Sequence, residues 1–153
     1  MQVFDRFPTY HMKIMSWDFN AKLGREDIFK PTIGNDSLHQ DRNDNGLRTI
    51  NFATSINLVV KSTMLPHRNI HKYNWTSPDE TTYNQIDHIL IDKRWHSSIR
   101  DVRSFREADC DTDHYLVVAK VRDRLAVSKQ AAKKSDVERF NLRKLSQLEV
   151  TKQ

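Results

Sequence analysis

The sequence has few of the residues that mark secreted, membrane-spanning and low-complexity proteins. One cysteine, Cys110, in 153 residues excludes an internal disulfide framework, and it predicts a reducing, intracellular compartment, either nuclear or cytoplasmic. No apolar run approaches the roughly 18 residues of a membrane span, and the N-terminus lacks the apolar core of a signal peptide. A count of 3 Gly and 4 Pro argues against a low-complexity chain.

The residues that are present favour one globular domain with a basic surface. Hydrophobic residues make up 37% and charged residues 29% of the chain, a composition far from that of disordered proteins. The formal net charge of +5 and the pI near 9.4 suit a polyanionic partner such as DNA. Much of the positive excess follows Val121, so a basic tail on a neutral domain explains the charge equally well.

Hydrophobic patterning predicts an α/β chain without regular βαβ alternation. A helix is expected at 47–56, with cap candidates at 43–46, and 95–98 is expected to form a helical turn. Strands are expected at 12–15, 58–60, 85–91 and 114–121, with a weaker strand near 102–105. A turn at 77–79 suggests a hairpin that ends in the 85–91 strand. Residues 128–153 are predicted to form a charged linker and an amphipathic helix at 136–149, which is suited to a protein partner.

Asp18 and Asn20 lie two residues apart where the first strand opens into a loop. In extended backbone both side chains point to the same side, and Phe19 packs on the other. The acid can orient a water molecule, and the amide can donate a hydrogen bond to a phosphate oxygen. Without further context, an Asx turn at a strand end is the simpler explanation of these two residues.

Asp87 stands inside an apolar run, where a carboxylate is costly unless a donor satisfies it. A histidine N–H is a suitable donor, and His114 begins the next strongly apolar strand. Asp113 adds negative charge beside His114, together with Asp109 and Asp111, and a divalent cation could occupy that potential. A structural Asp–His hydrogen bond beside a solvated acidic loop explains the same residues equally well.

Three segments carry a resemblance to a known family. Residues 18–22 (Asp-Phe-Asn-Ala-Lys), 84–90 (Asn-Gln-Ile-Asp-His-Ile-Leu) and 113–117 (Asp-His-Tyr-Leu-Val) resemble, in this order, the endonuclease/exonuclease/phosphatase superfamily. More narrowly, they are similar to the endonuclease domains of non-LTR retrotransposons and to the related craniofacial-development-protein-like sequences. The similarity covers residues 12–127 and leaves 1–11 outside it. It implies the C-terminal half of a four-layer α/β sandwich, which is a mostly antiparallel sheet with flanking helices.

The resemblance also implies a reaction, the hydrolysis of a DNA phosphodiester with Mg²⁺ or Mn²⁺. Asp18 matches the acid that orients the attacking water, and Asn20 matches the amide that steadies the transition state. Asp87 matches the acid that holds the catalytic histidine, here His114, which contacts the scissile phosphate. Asp113 matches the acid at the metal. The full set of implied site residues is Asp18, Asn20, Asp87, Asp113 and His114 as catalytic residues, with Asn84 near the phosphate backbone.

Two departures from the family pattern limit the expected activity. Trp17 stands where the family has a glycine that allows close backbone approach, so its indole is expected to crowd the site. The similarity covers only the family's C-terminal half, so the metal-binding glutamate of the other half is expected to be missing. Catalysis is then expected to be weak or lost, with weak metal binding. The alternatives are a non-catalytic remnant that binds nucleic acid or a protein partner, and a chain without a stable fold.

Overall fold

The computed structural model describes Pro8, residues 10–106 and residues 112–122, all within one compact unit, Met1–Asp123. The predictions for Cys110, for Asp109 and Asp111, for most of 1–11 and for the helix at 136–149 lie outside these residues. The described elements are β1 (Ile14–Trp17), α1 (Asp44–Ser55), β2 (Leu58–Val60), β3 (Trp75–Thr76), β4 (Tyr83–Asn84), β5 (His88–Asp92), β6 (Ile99–Phe105) and β7 (Leu116–Val121). Within these ranges no helix has the length and apolar character needed to cross a bilayer.

A three-stranded antiparallel sheet forms the centre, with β5 between β1 and β2. All five residues of β5 are buried, since both faces of the sheet are covered. Leu90 belongs to one hydrophobic cluster, whereas Ile89 and Ile91 belong to a second. The sequence prediction of an α/β chain with antiparallel sheets is therefore confirmed at this level.

Helix α1 covers one face of the sheet, and its sequence explains both of its ends. The side chain of Asn43 accepts a hydrogen bond of 2.8 Å from the Gly46 N–H, which is an N-cap of the predicted kind. Asn57 follows the helix with a φ of 58°, a left-handed conformation that asparagine tolerates and that prevents continuation. Ile50 and Ala53 of α1 pack in the same cluster as Leu90 of β5.

The hairpin of β6 and β7 contributes side chains to the second hydrophobic cluster. Ile99 and Val102 of β6 are buried with Val59 and Ile91 of the central sheet. In β7 the apolar residues that point away from this cluster are open to solvent, and Leu116 is 57% exposed. The 3₁₀ turn Lys93–Ser98 and the strand β6 confirm the predicted helical turn and weaker strand.

The predicted hairpin is present, but its second strand is not the one expected. The turn at 77–79 is present, but it connects β3 to the short strand β4, and the prediction that it leads into a strand at 85–91 is wrong. Strand β5 begins at His88 and belongs to the three-stranded sheet, so Asp87 lies just before it. The reason is Asn74, whose side chain takes the backbone N–H groups of Ile86 and Asp87 that a ladder would otherwise use. Strand β7 likewise begins two residues after the predicted start.

Candidate functional site

The loop after β1 places the first pair of predicted site residues. Strand β1 ends at Trp17, and the Asp18 carboxylate then accepts a hydrogen bond of 3.1 Å from the backbone N–H of Asn20. Asn20 has a φ of 44°, so the extended conformation expected at 18–20 is wrong and the Asx turn is present. Phe19 packs against the first hydrophobic cluster, as predicted. The turn nevertheless directs Asp18 and Asn20 into one cavity.

Buried His88 ties this loop to the central strand. Its Nε2–H donates to the Ala21 carbonyl at 2.8 Å, and its Nδ1 accepts from the Ser62 hydroxyl at 2.8 Å. Burial lowers the pKa of His88 to about 4; the bond to Ala21 opposes this shift and the charge of His39 adds to it. The ring is therefore neutral at pH 7 and acts as a structural link. The sequence showed this imidazole within an apolar run but gave it no role.

Asn74 holds the segment that carries Asp87. It is 1% exposed; its amide NH₂ donates to the Asp87 carbonyl at 2.8 Å, while its oxygen accepts from the Ile86 and Asp87 N–H groups. Its backbone also bonds to both neighbouring segments, because its N–H donates to Asn84 and its carbonyl accepts from Tyr115. Sequence reasoning missed Asn74, since a buried asparagine in a polar stretch gives no local signal.

Asp87 and His114 form the predicted pair. His114 Nδ1 lies 3.3 Å from Asp87 Oδ2, and the two side chains are 37% and 16% exposed. Burial raises the pKa of the Asp87 carboxyl; the hydrogen bond from His114 opposes this, and Asp18 nearby reinforces it. The bond to Asp87 leaves the far nitrogen of the His114 ring available for a ligand. Asp87 Oδ1 is buried and has no hydrogen-bond partner among the residues that the structure describes.

Asp18, Asp87 and His114 converge on one point. One ligand atom from each lies within 4.8 Å of the corresponding atoms of the other two. Two carboxylates and an imidazole at this separation are a donor set that a divalent cation can use. Among the described residues, Asp113 is not part of this group.

A cavity of about 260 Å³ opens beside these residues. Four of its lining residues are predicted ones: Asp18, Asn20, Asn84 and His114. The sequence prediction therefore brought together residues that lie far apart in the chain. The lining residues that are not among the implied site residues are Lys22, Trp75 and Ile86. Lys22 belongs to the quoted 18–22 segment, so its position was a usable signal for a phosphate-binding cation.

Asp113 and Trp17 do not line the 260 Å³ cavity. The Asp113 carboxylate accepts the indole N–H of Trp75 at 2.8 Å, and Asp113 lines a different cavity, of about 370 Å³. The Trp17 side chain is 72% exposed and borders a shallower depression that Asp18, Asp87 and His114 also line. His67 Nε2 lies 2.7 Å from the Asp101 carboxylate, and neither residue lines the 260 Å³ cavity.

Comparison with known proteins finds two relatives that carry the same name. The chain is 36% identical over 120 residues, 78% of its length, to craniofacial development protein 2 of Tragulus javanicus and to that of Bos taurus. The matches cover 21% and 20% of those proteins, so the chain spans about a fifth of the length of the curated relatives it matches. No family model matches the chain, and no solved structure matches it. The resemblance to craniofacial-development-protein-like sequences is thereby confirmed, and the wider superfamily stays a prediction.

Proposed function

We propose that this chain carries part of a metal-dependent site for phosphodiester hydrolysis in DNA, of the kind implied by its resemblance to non-LTR retrotransposon endonucleases. The observation that carries the proposal is the convergence of Asp18, Asn20, Asn84 and His114 on one cavity, with Asp87 bonded to His114. In this proposal the described sheets correspond to the C-terminal half of a four-layer sandwich. The proposal concerns the site alone, because the chain spans about a fifth of its relatives' length.

Each residue has a task that its position supports. The amides of Asn20 and Asn84 donate hydrogen bonds to phosphate oxygens as charge develops there, and Lys22 adds a positive charge in the same cavity. His114, held in one tautomer by Asp87, presents its far nitrogen to the phosphate. Asp18 orients the attacking water, because its carboxylate is exposed at the cavity and lies beside the Asp87 carboxyl.

The donor atoms present fit a divalent cation. Asp18 and Asp87 would hold it beside the His114 ring, and Oδ1 of Asp87, which has no hydrogen-bond partner among the described residues, offers an oxygen ligand. Mg²⁺ prefers oxygen ligands, and Mn²⁺ also accepts an imidazole. Such an ion, when bound, would neutralise charge on the phosphate and favour ionisation of a bound water. The family resemblance places the metal at Asp113, and the geometry of the three converging residues favours their group instead.

A plasmid-nicking assay tests this function. The 153-residue protein should convert supercoiled DNA to the open circle with Mg²⁺ or Mn²⁺, and EDTA should stop the reaction. Asp18→Ala and His114→Ala should each lower the rate by about a hundredfold or more, since each removes a group that acts on the reacting atoms. Asp27→Ala is the matched control, because Asp27 is exposed and pairs with Lys30 outside the cavity. Nicking that survives both site substitutions would contradict the proposal.

A second function is binding of nucleic acid without cleavage, which the net charge of +5 favours. DNA binding that weakens steeply with salt, in a protein that never nicks, would support this alternative over the first. Absence of binding at low salt would count against both.

A further inference from the structure

His39 does not line the 260 Å³ cavity, but it contacts the segment that carries Asn84. Its Nε2 accepts a hydrogen bond of 3.1 Å from the backbone N–H of Gln85, across 46 positions of sequence. A neutral imidazole has one donor nitrogen and one acceptor nitrogen, so this bond requires Nε2 to be unprotonated. The ring therefore supplies an acceptor to a backbone group beside the site.

The peptide unit between Asn84 and Gln85 is held at both of its polar atoms. The Asn84 carbonyl accepts the Asn74 N–H at 2.9 Å, and the N–H of the same unit donates to His39. In a trans peptide the carbonyl and the N–H point to opposite sides of one plane, so these two bonds fix the orientation of the plane. The Cα of Asn84 belongs to that plane, and its side chain lines the cavity from this fixed position.

The loop that carries His39 is bonded to the same glutamine a second time. Gln85 is 3% exposed, and its side-chain oxygen accepts the Leu38 N–H at 2.9 Å. Its side-chain NH₂ donates to the Ser62 carbonyl at 3.4 Å. Residues 38 and 39 thus each bond to Gln85, one to its side chain and one to its backbone, so the imidazole is held where its acceptor is needed.

We propose that His39 is a positioning residue for the proposed reaction, which fixes the Asn84 amide through the N–H of Gln85. This role rests on the proposed function, in which Asn84 donates a hydrogen bond to a phosphate oxygen. Protonation of His39 would turn its acceptor nitrogen into a donor and release the Gln85 N–H. The same residue therefore makes the position of Asn84 sensitive to acid.

The surroundings of His39 favour the neutral ring. Burial lowers the pKa of His39 from its ordinary value, and the charge of Lys22 lowers it further. Lys22, from the loop after β1, and His88, of β5, interact electrostatically with this ring. Because the pKa of His88 is about 4, His88 is neutral at pH 7, and Lys22 is the charge that opposes protonation of His39. The acceptor form of His39 is thus the form present at pH 7.

A double-mutant cycle in the plasmid-nicking assay tests this role. His39→Leu removes the acceptor and should lower kcat about tenfold with KM within about twofold, because the displaced amide acts on the transition state. In a protein that already carries Asn84→Ala, the same change should lower kcat by less than about twofold, since the amide is then absent. His96→Leu is the matched control, because His96 is exposed in the 3₁₀ turn outside the cavity, and it should keep kcat. Equal losses from His39→Leu with and without Asn84 would overturn the inference.

His39→Gln tests the acceptor and the acid sensitivity together. Its side-chain oxygen can accept the Gln85 N–H but takes up no proton, so kcat at pH 7.5 should stay within about twofold of the wild type. The ratio of wild-type kcat to that of His39→Gln should fall as pH is lowered from 7.5 to 5, because the protonation of other groups affects both proteins alike. A His39→Gln protein as slow as His39→Leu would overturn the acceptor role. A constant ratio down to pH 5 would overturn the acid sensitivity.

Hydrogen exchange separates this role from the proposed function. The Gln85 amide should exchange at least about tenfold faster in His39→Leu than in the wild type, and an unchanged rate would overturn the inference. Wild-type protein that nicks plasmid with the same kcat as His39→Leu would overturn the inference and leave the function standing, whereas wild-type protein that never nicks would overturn both. Circular dichroism shows whether each variant is folded, and His39→Gln keeps the test decisive if His39→Leu unfolds the protein.

Discussion

Acidification should destabilise this protein through His88. The ring is 1% exposed, and its two nitrogens are committed to Ala21 and Ser62, one as donor and one as acceptor. A second proton on the ring would break the bond from Ser62 and place a charge in the core. Burial is the main reason why the pKa of His88 falls to about 4 in the folded protein. In the unfolded chain its pKa is about 6.5.

The sign and size of the effect follow from these two values. Between pH 6.5 and 4 the unfolded chain takes up a proton that the folded protein does not, so the free energy of unfolding falls as pH falls. The interval corresponds to about 3 kcal/mol, at 1.36 kcal/mol for each pH unit. Stability from this source is fully present above pH 6.5 and is lost once pH has fallen below the folded pKa. Against a typical domain stability of about 5–15 kcal/mol, this is a large share.

Two measurements check the His88 prediction. In an NMR titration of the folded protein, the C2–H signal of His88 should not move between pH 7 and about 5. In urea, the wild type should lose about 3 kcal/mol more than His88→Gln between pH 7 and 4, because glutamine can donate to Ala21 but takes up no proton. A folded-state midpoint near 6.5, or equal losses in the two proteins, would refute the reasoning.

Two further substitutions test the burial of the Asp87 carboxyl and the hydrogen bonds by which Asn74 holds the Asp87 backbone. Burial raises the pKa of Asp87 above 3.8, so the folded state keeps its proton longer and stability is lost as pH rises through the folded pKa. Asp87→Asn should therefore raise the melting temperature at pH 7, with a gain that shrinks as pH approaches 3.8; a gain that grows on acidification would contradict this. Asn74→Ala leaves buried backbone groups at Ile86 and Asp87 unpaired and should cost about 3 kcal/mol or more in urea unfolding. The control Asn45→Ala should cost less than about 1 kcal/mol, and a similarly small loss for Asn74→Ala would show that water replaces the side chain.

Much of the fold follows from local patterns that the sequence shows directly. Asn43 before a run of helical spacing predicts where α1 begins, and its side chain caps the helix. The buried runs of β2 and β5 are apolar on both faces, which is typical of strands at the centre of a layered fold. These features depend on neighbours a few residues away, so a single sequence is sufficient to predict them.

Strand pairing and side-chain exposure depend on residues that are distant in the chain, and the sequence does not predict them correctly. Strand β4 pairs with β3, and β5 enters another sheet, because Asn74 ends the ladder at Ile86 and Asp87. In β7 both sides are apolar, so the alternation pattern does not show which side is buried. The register with β6 decides this, and it leaves Leu116 opposite Phe105 in solvent.

The site shows why a matched motif predicts residues better than it predicts their partners. Asp113 and His114 are neighbours in the 113–117 segment, and the resemblance assigns both to one catalytic centre. Asp113 lies in a bend and His114 in an isolated bridge to Trp75, both ahead of β7, so the local conformation and not the motif decides which partner each side chain meets. In the structure His114 meets Asp87 at the cavity, while Asp113 meets the indole of Trp75. The acid that the motif marks for a metal thus accepts a hydrogen bond from an indole, whose residue lies 38 positions away and which no local pattern indicates.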